Sequence, residues 1–296
     1  MIRSFSAAEF PAERLAEAKR GRAITVCLPA RDEEATVGQV VSSIRTELMD
    51  RIGLVDELLV IDDGSSDRTA AVAEDAGAHV LGASAILPEY GTEGGKGQAL
   101  WRAVHVARGD LLVFCDADIR NFDPGFVLGL VGPLLTHDDV QFVKGFYERP
   151  LDGRPGEGGR VTELMARPVI SLLFPHLAPL FQPLSGECAA WREVLEQVPF
   201  VGGYGVDLGL LIDVSERFGA SAIVQSDLGE RVHRNRPLVE LSSQALAILQ
   251  LALSRANLAE PGQWAAALLR PGAEPSPVTL VERPPLAEVP AHRKSA

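Results

Sequence analysis

At 296 residues the chain has room for one large α/β domain, or for a domain with a substantial appendage. Its 46% hydrophobic and 23% charged residues are ordinary for a protein with a real core. A formal net charge of −12 argues against a general nucleic-acid binder, although a local basic pocket for a small anion can sit inside an acidic molecule.

Residues 1–22 read as a charged leader, and around Glu9, Glu13 and Arg14 they lack the continuous apolar core of a secretory signal. Ala23-Ile24-Thr25-Val26-Cys27-Leu28 predicts a first strand, stopped by Pro29. Residues 34–49 show helical spacing, with Val37, Val40, Val41, Ile44 and Leu48 on one face. A second strand over 57–61 closes with Asp62-Asp63-Gly64-Ser65-Ser66-Asp67, and a helix follows to the stop at Gly77. Residues 78–81 form a short third strand. Gly94-Gly95-Lys96-Gly97 then opens a helix through Ala107, leading to an apolar strand over 111–115. This β-α-β rhythm predicts a mostly parallel, Rossmann-like sheet flanked by helices, spanning residues 23–150.

Residues 152–159 mark an exposed loop. Beyond it, 151–270 predicts a mainly helical half of the same unit, with helices over 161–173, 191–197, 207–218 and 238–254 and one short strand over 222–225. The proline-rich tail, 271–296, is expected to be extended or poorly ordered. No segment approaches the roughly 18 apolar residues of a spanning helix. Cys27, Cys115 and Cys188, odd in number and widely spaced, fit buried thiols better than disulfides. The expectation is a cytoplasmic protein engaging neither membrane nor nucleic acid.

The chemistry concentrates at strand ends. Asp116 and Asp118 lie one residue apart where a parallel strand gives way to a loop, the usual ligand crevice of an open α/β sheet. Hard carboxylate oxygens there suit Mg²⁺ or Mn²⁺, which in turn suit a diphosphate. Taken alone, such a pair is more often an acidic turn. Here Pro29-Ala30-Arg31-Asp32-Glu33-Glu34 and Asp62-Asp63 end two further strands on the same sheet edge. Asp32 or Asp67 has helix capping as its plain explanation. Acids at three successive strand ends instead predict a crevice for a nucleotide, its base near Asp63 and its diphosphate near Asp118. Gly94-Gly95-Lys96-Gly97 lacks the spacing and hydroxyl of a P-loop, but beside a diphosphate Lys96 is a cation for phosphate or a sugar hydroxyl.

Together these segments resemble the GT-A nucleotide-sugar glycosyltransferases, and the second half narrows the resemblance to the glucosyl-3-phosphoglycerate synthases. The later matching blocks are Phe142-Val143-Lys144 with Phe146-Tyr147, Gly158-Gly159-Arg160-Val161-Thr162-Glu163-Leu164, and Gln182-Pro183-Leu184-Ser185-Gly186-Glu187. The segment from Tyr204 to Asp213 and His233-Arg234-Asn235-Arg236-Pro237-Leu238 complete the set. The resemblance implies a retaining transfer from UDP-glucose to the 2-hydroxyl of 3-phosphoglycerate, with Mg²⁺ or Mn²⁺ held by Asp118 and His233, in a homodimer. It makes 23–150 the nucleotide-sugar half and 151–270 the acceptor half. It implies that Pro29, Ala30, Arg31, Glu33 and Asp63 surround the uridine. Lys96, Asp116, Ala117, Leu184 and Arg231 complete the donor site, with Tyr204 and Asp207 at the sugar end. A tight Gly202-Gly203 turn leading into a self-capped helix explains that last pair almost equally well. Asp118, Lys96 and Asp207 would carry the catalysis, and Gly159, Arg160, Thr162 and Asn235 the acceptor. No carboxylate announces itself as a nucleophile, so front-face attack is the expected route to retention. The pattern departs from the family at Arg31-Asp32, which replaces Leu-Asn, at Asp63, where mycobacterial relatives carry serine, and at Asp207, where they carry glutamate. Mannosyl transfer from GDP-mannose and non-catalytic nucleotide-sugar binding stay open as alternatives. A lipid-linked transferase would want a membrane helix or an amphipathic anchor.

Overall fold

Strands buried on both faces need apolar residues at nearly every position, and the central strands have them. A computed structural model describes residues 2–149, 159–232, 238–258 and 266–293. The first elements are β1 (Ser4–Ser6), α1 (Ala12–Ala18), β2 (Ile24–Ala30) and α2 (Val37–Ser43), which continues in wide π-type turns over Ile44–Arg51. Next come β3 (Glu57–Asp62), α3 (Thr69–Asp75), β4 (His79–Gly82), α4 (Lys96–Val106) and β5 (Leu111–Phe114). The chain goes on through α5 (Gly125–Thr136), β6 (Phe142–Glu148), wide helical turns over Thr162–Ala166, α6 (Arg167–Leu173), β7 (Cys188–Trp191) and α7 (Arg192–Leu195). It ends with β8 (Phe200–Val201), α8 (Val206–Phe218), β9 (Ile223–Glu230), α9 (Leu238–Arg255), β10 (Ala267–Leu268), β11 (Ser276–Pro277), β12 (Glu282–Arg283) and α10 (Pro290–Arg293).

Eight strands form one sheet in the order β1-β9-β6-β7-β5-β2-β3-β4. All its pairs are parallel except those of β7, which runs antiparallel to both β5 and β6. Alternate residues feed two cores. Cys27, Leu59, Ile61, Leu112 and Phe114 face a layer containing Trp101, Leu211 and Leu251. Val26, Leu28, Val60 and Val113 face Val40, Ile44, Phe126 and Leu130. Fully burying side chains of this size is worth roughly 1.5–3 kcal/mol each. The three cysteines are free and buried. Among the described residues, no helix is long and apolar enough to cross a membrane.

Several expectations need correction. Ser4–Ser6, in the supposed leader, is an edge strand paired with β9. The first strand runs through Pro29, which lies beyond the last β2–β5 register pair, Cys27 with Phe114, and so displaces no ladder bond on that side. Residues 142–148 and 188–191 are sheet strands that the pattern did not announce, and β9 extends well past 225. The described tail is docked rather than loose, with short strands followed by a helical turn and α10. Its β12 pairs with β8, Trp101 Nε1 donates to Pro284 O at 2.8 Å, and Leu286 and Val289 are fully buried.

Candidate active site

From β2 the chain runs outward through β3 and β4, then returns to β5 on the other side of β2. The ends of β5, β2 and β3 therefore meet at a topological switch point, where an open α/β sheet leaves a crevice. The loops after β2 and β3 are tied to each other. Asp32 N donates to Ser65 Oγ at 3.0 Å, and Ser66 N to Asp32 Oδ1 at 2.7 Å. Glu33 N donates to Thr69 Oγ1 at 2.7 Å, and Glu34 N to Asp67 Oδ2 at 3.1 Å. Asp32 thus braces a neighbouring loop rather than capping α2, and it does so at φ +56°. Asp67 serves the same brace and also accepts from Thr69 N at 2.9 Å.

Asp63 Oδ2 accepts from Gly95 N at 2.7 Å and lies 3.8 Å from Arg31 Nη1. Burial pushes the Asp63 carboxyl above its ordinary value, against the pull of Gly95 N–H and Arg31. Gly95 sits at φ +126°, a conformation that favours glycine, and this bend delivers Lys96 to the start of α4.

Behind the crevice lies a chain of charges. Lys96 Nζ stands 3.0 Å from Asp116 Oδ1 and 3.4 Å from Asp207 Oδ2. Asp207 Oδ1 also accepts from the buried Lys144 Nζ at 3.1 Å. Asp207 does not cap α8, whose first turn has no side-chain cap, so the self-capping explanation fails. Arg231 Nη2 spans Asp116 Oδ2 at 2.9 Å and Asp118 Oδ1 at 2.6 Å, while Nη1 reaches Glu187 Oε1 at 3.0 Å and Tyr147 Oη at 2.7 Å. Tyr147 Oη donates to Glu187 Oε2 at 2.6 Å. Burial opposes the charge on Lys96 and Arg231, but the surrounding carboxylates outweigh it and hold both cations above their usual range. Burial likewise raises Asp116, yet Lys96 and Arg231 win and keep it ionised. Burial pushes the Tyr147 phenol up to about 12. A Cβ on Gly186 would collide with the Asp116 carboxylate, so only glycine lets the bend leading into β7 pass this close.

Asp116 and Asp118 present hard oxygens from one strand end, and a guanidinium bridges them. That spot demands positive charge and fits Mg²⁺ or Mn²⁺, ions commonly held by one or two carboxylates plus phosphate oxygens. Among the described residues, no cluster of three or more His, Cys, Asp or Glu could hold a metal. His233 and Asn235 lie outside the described residues.

The crevice opens into a cleft of about 750 Å³. Pro29, Ala30, Arg31, Glu33 and Asp63 line one end; Lys96, Asp116, Ala117, Asp118 and Leu184 line the middle. Asp207 and Arg231 join that middle group through their ion pairs with Lys96, Asp116 and Asp118, and Tyr204, Gly159, Arg160 and Thr162 complete the lining. The fold thus brings every described candidate to one cavity. Sequence reasoning gave no role to Arg149, Gln244 and Ile248, which also line it, or to Lys144, Tyr147 and Glu187 behind it. For Lys144 and Tyr147 the local signal is polar chemistry inside an apolar strand segment, as in Phe142-Val143-Lys144.

Known proteins share this architecture. The family model described as glycosyl transferase family 2 matches residues 25–196. A glucosyl-3-phosphoglycerate synthase from Mycolicibacterium paratuberculosis is 46% identical over 97% of this chain and 91% of its own length. The chain belongs to the glucosyl-3-phosphoglycerate synthase family. The Mycobacterium tuberculosis H37Rv synthase is 48% identical over 92% of this chain and 87% of its own. A crystal structure of the M. tuberculosis enzyme with Mn²⁺, UDP-glucose and phosphoglyceric acid superposes with a TM-score of 0.89 at 45% identity, covering 97% of this chain and 98% of that one. Another, with Mg²⁺ and UDP, gives 0.87 at 45% identity with the same coverage.

Proposed function

We propose that the protein transfers glucose from UDP-glucose to the 2-hydroxyl of 3-phospho-D-glycerate, with retention and with Mg²⁺ or Mn²⁺. The observation that carries this reading is the single cleft running from the strand ends at Ala30 and Asp63, past Asp116 and Asp118, to the helix start at Arg160. Pro29, Ala30, Arg31, Glu33 and Asp63 take the uridine; Ala117, Leu184 and Tyr204 shape the ribose-to-sugar stretch. Asp118, with Asp116 beside it and His233, holds the metal. The bound ion supplies Lewis-acid neutralisation of the leaving diphosphate. Lys96 and Arg231, already fixed as cations by their carboxylates, add preorganised positive charge at the same place. Asp207, anchored by Lys144, faces the sugar end. Gly159, Arg160, Thr162 and Asn235 orient the acceptor so that its hydroxyl meets the anomeric carbon, a positioning task. No side chain here stands out as a covalent nucleophile, which favours attack from the front face.

The test is release of UDP from UDP-glucose with and without 3-phosphoglycerate, before and after exhaustive chelation. Acceptor-dependent, metal-dependent release is expected; full activity in chelator would end the metal assignment. Competing kcat/KM values for UDP-glucose, GDP-glucose and GDP-mannose decide the donor, and a win for GDP-mannose would overturn the uracil role of Asp63. The same family resemblance supports a cytoplasmic homodimer, which light scattering of the purified protein checks for assembly.

A further inference from the structure

The acceptor has two anionic groups, a phosphate at one end and a carboxylate beside the reacting hydroxyl. The acceptor residues among the described ones are Arg160, the Thr162 hydroxyl and the backbone of Gly159, so one guanidinium faces two anions. A second anion drawn into the cleft without a matching charge would lose hydration uncompensated. Arg149, directly after β6, lines the same cleft as Gly159, Arg160 and Thr162.

We propose that Arg149 is a second anion-binding residue of this pocket, taking the acceptor carboxylate while the helix start at Arg160 takes the phosphate. The inference rests on the acceptor reading above. Arg149 is built in place. Its guanidinium carbon lies 4.9 Å from the centre of the Tyr147 ring, and Nη2 donates to Tyr147 Oη at 2.6 Å. Tyr147 is itself fully buried and pinned by Glu187 and Arg231, so the stack does not drift. Arg231, by contrast, is spent on Asp116, Asp118 and Glu187. Among the described residues Arg149 donates to a phenol, and its buried Nε meets no acceptor there. A fork held flat and short of an acceptor suits a planar carboxylate. The chain turns helical at Arg160, and the positive end of a helix dipole suits the more highly charged phosphate. Because the carboxylate adjoins the 2-hydroxyl, gripping it also aims the nucleophile.

The experiment is isothermal titration of 3-phosphoglycerate and of glycerol 3-phosphate, which lacks the carboxylate, into the full chain with Mn²⁺ and UDP present. R149M should weaken 3-phosphoglycerate roughly ten- to a hundredfold, the scale of one lost charge-assisted contact. Glycerol 3-phosphate should shift by less than about threefold, and R149K, a point charge without the fork, should fall between wild type and R149M. Unchanged 3-phosphoglycerate affinity in R149M overturns the proposal, and so does equal weakening of both ligands. If wild type binds neither ligand, the acceptor reading itself falls and takes the proposal with it. Should R149M melt well below wild type, R149K carries the same two-ligand comparison.

Discussion

Asp207 is held from two sides, by Lys144 from within the protein and by Lys96 from the cleft. Removing one member of a buried ion pair leaves an uncompensated charge and typically costs about 3–5 kcal/mol. Lys144→Met should therefore lower the urea midpoint, and the freed Asp207 should draw Lys96 away from Asp116 and slow turnover. In an Asp207→Asn background the same substitution should cost markedly less. Equal costs in both backgrounds would show that the lysine acts independently of Asp207. Asp118→Asn should abolish turnover at fixed Mg²⁺ while far-ultraviolet circular dichroism stays native-like. At this scale the sequence exposed what is local: Asp116, Asp118 and Lys96 stand in short motifs with their own logic. It hid what is distant, because Lys144 meets Asp207 across 63 positions and Arg231 meets Asp116 across 115.

Two loops that line the cleft are steadied by the C-terminal tail. Arg283 donates to Tyr90 O and to Glu93 Oε2, the latter at 2.7 Å, while Arg102 donates to Ile86 O, Gly91 O and Glu93 O. Together they fix the segment leading to Gly94 and Lys96. Gly202 N donates to Val281 O at 2.6 Å, which fixes the turn carrying Tyr204. Arg283→Met should thus raise the KM for UDP-glucose while leaving 3-phosphoglycerate affinity nearly unchanged; the reverse pattern in steady-state kinetics would refute this coupling. Deleting residues 276–296 should red-shift the fluorescence of Trp101, now fully buried under the tail, and lower the melting temperature. The proline content suggested an extended or poorly ordered chain, whereas residues 276–293 include short paired strands and the helix α10. The tail's docking partners, β8 and α4, leave no trace in that composition. The same limit concealed β7: Cys188-Ala189-Ala190-Trp191 is short and weak in β-branched residues, and it becomes a strand because β5 and β6 flank it.

The molecule as a whole closes on itself where residues 105, 196 and 292 meet. The β-α-β rhythm of the first half was enough to foresee the sheet and its ligand crevice, since parallel strands joined by helices admit few topologies. It could not foresee that the segment carrying His292 folds back on α4 and α7. There His105 Nδ1 lies 3.1 Å from His292 Nδ1, so one ring nitrogen must donate and the other accept. His292 Nε2 is 2.9 Å from Glu196 Oε1, which also accepts from Arg192 Nε at 2.7 Å. Burial, then the neighbouring His292 and Arg192, hold His105 below its usual pKa, with Glu89 pulling weakly the other way. Above about pH 6.5, the value of a free histidine, the folded and unfolded chains are both neutral at this site and it costs nothing. As pH falls below that value, the unfolded chain takes up a proton that the folded one resists, so stability drops. The melting temperature should therefore decline between pH 7.5 and 5.5, together with the burial of Trp101 beneath the tail. His105→Gln, which cannot be protonated, should flatten part of that decline while keeping a polar partner for His292. A variant that melts with the wild-type pH slope would place the proton uptake elsewhere in the molecule.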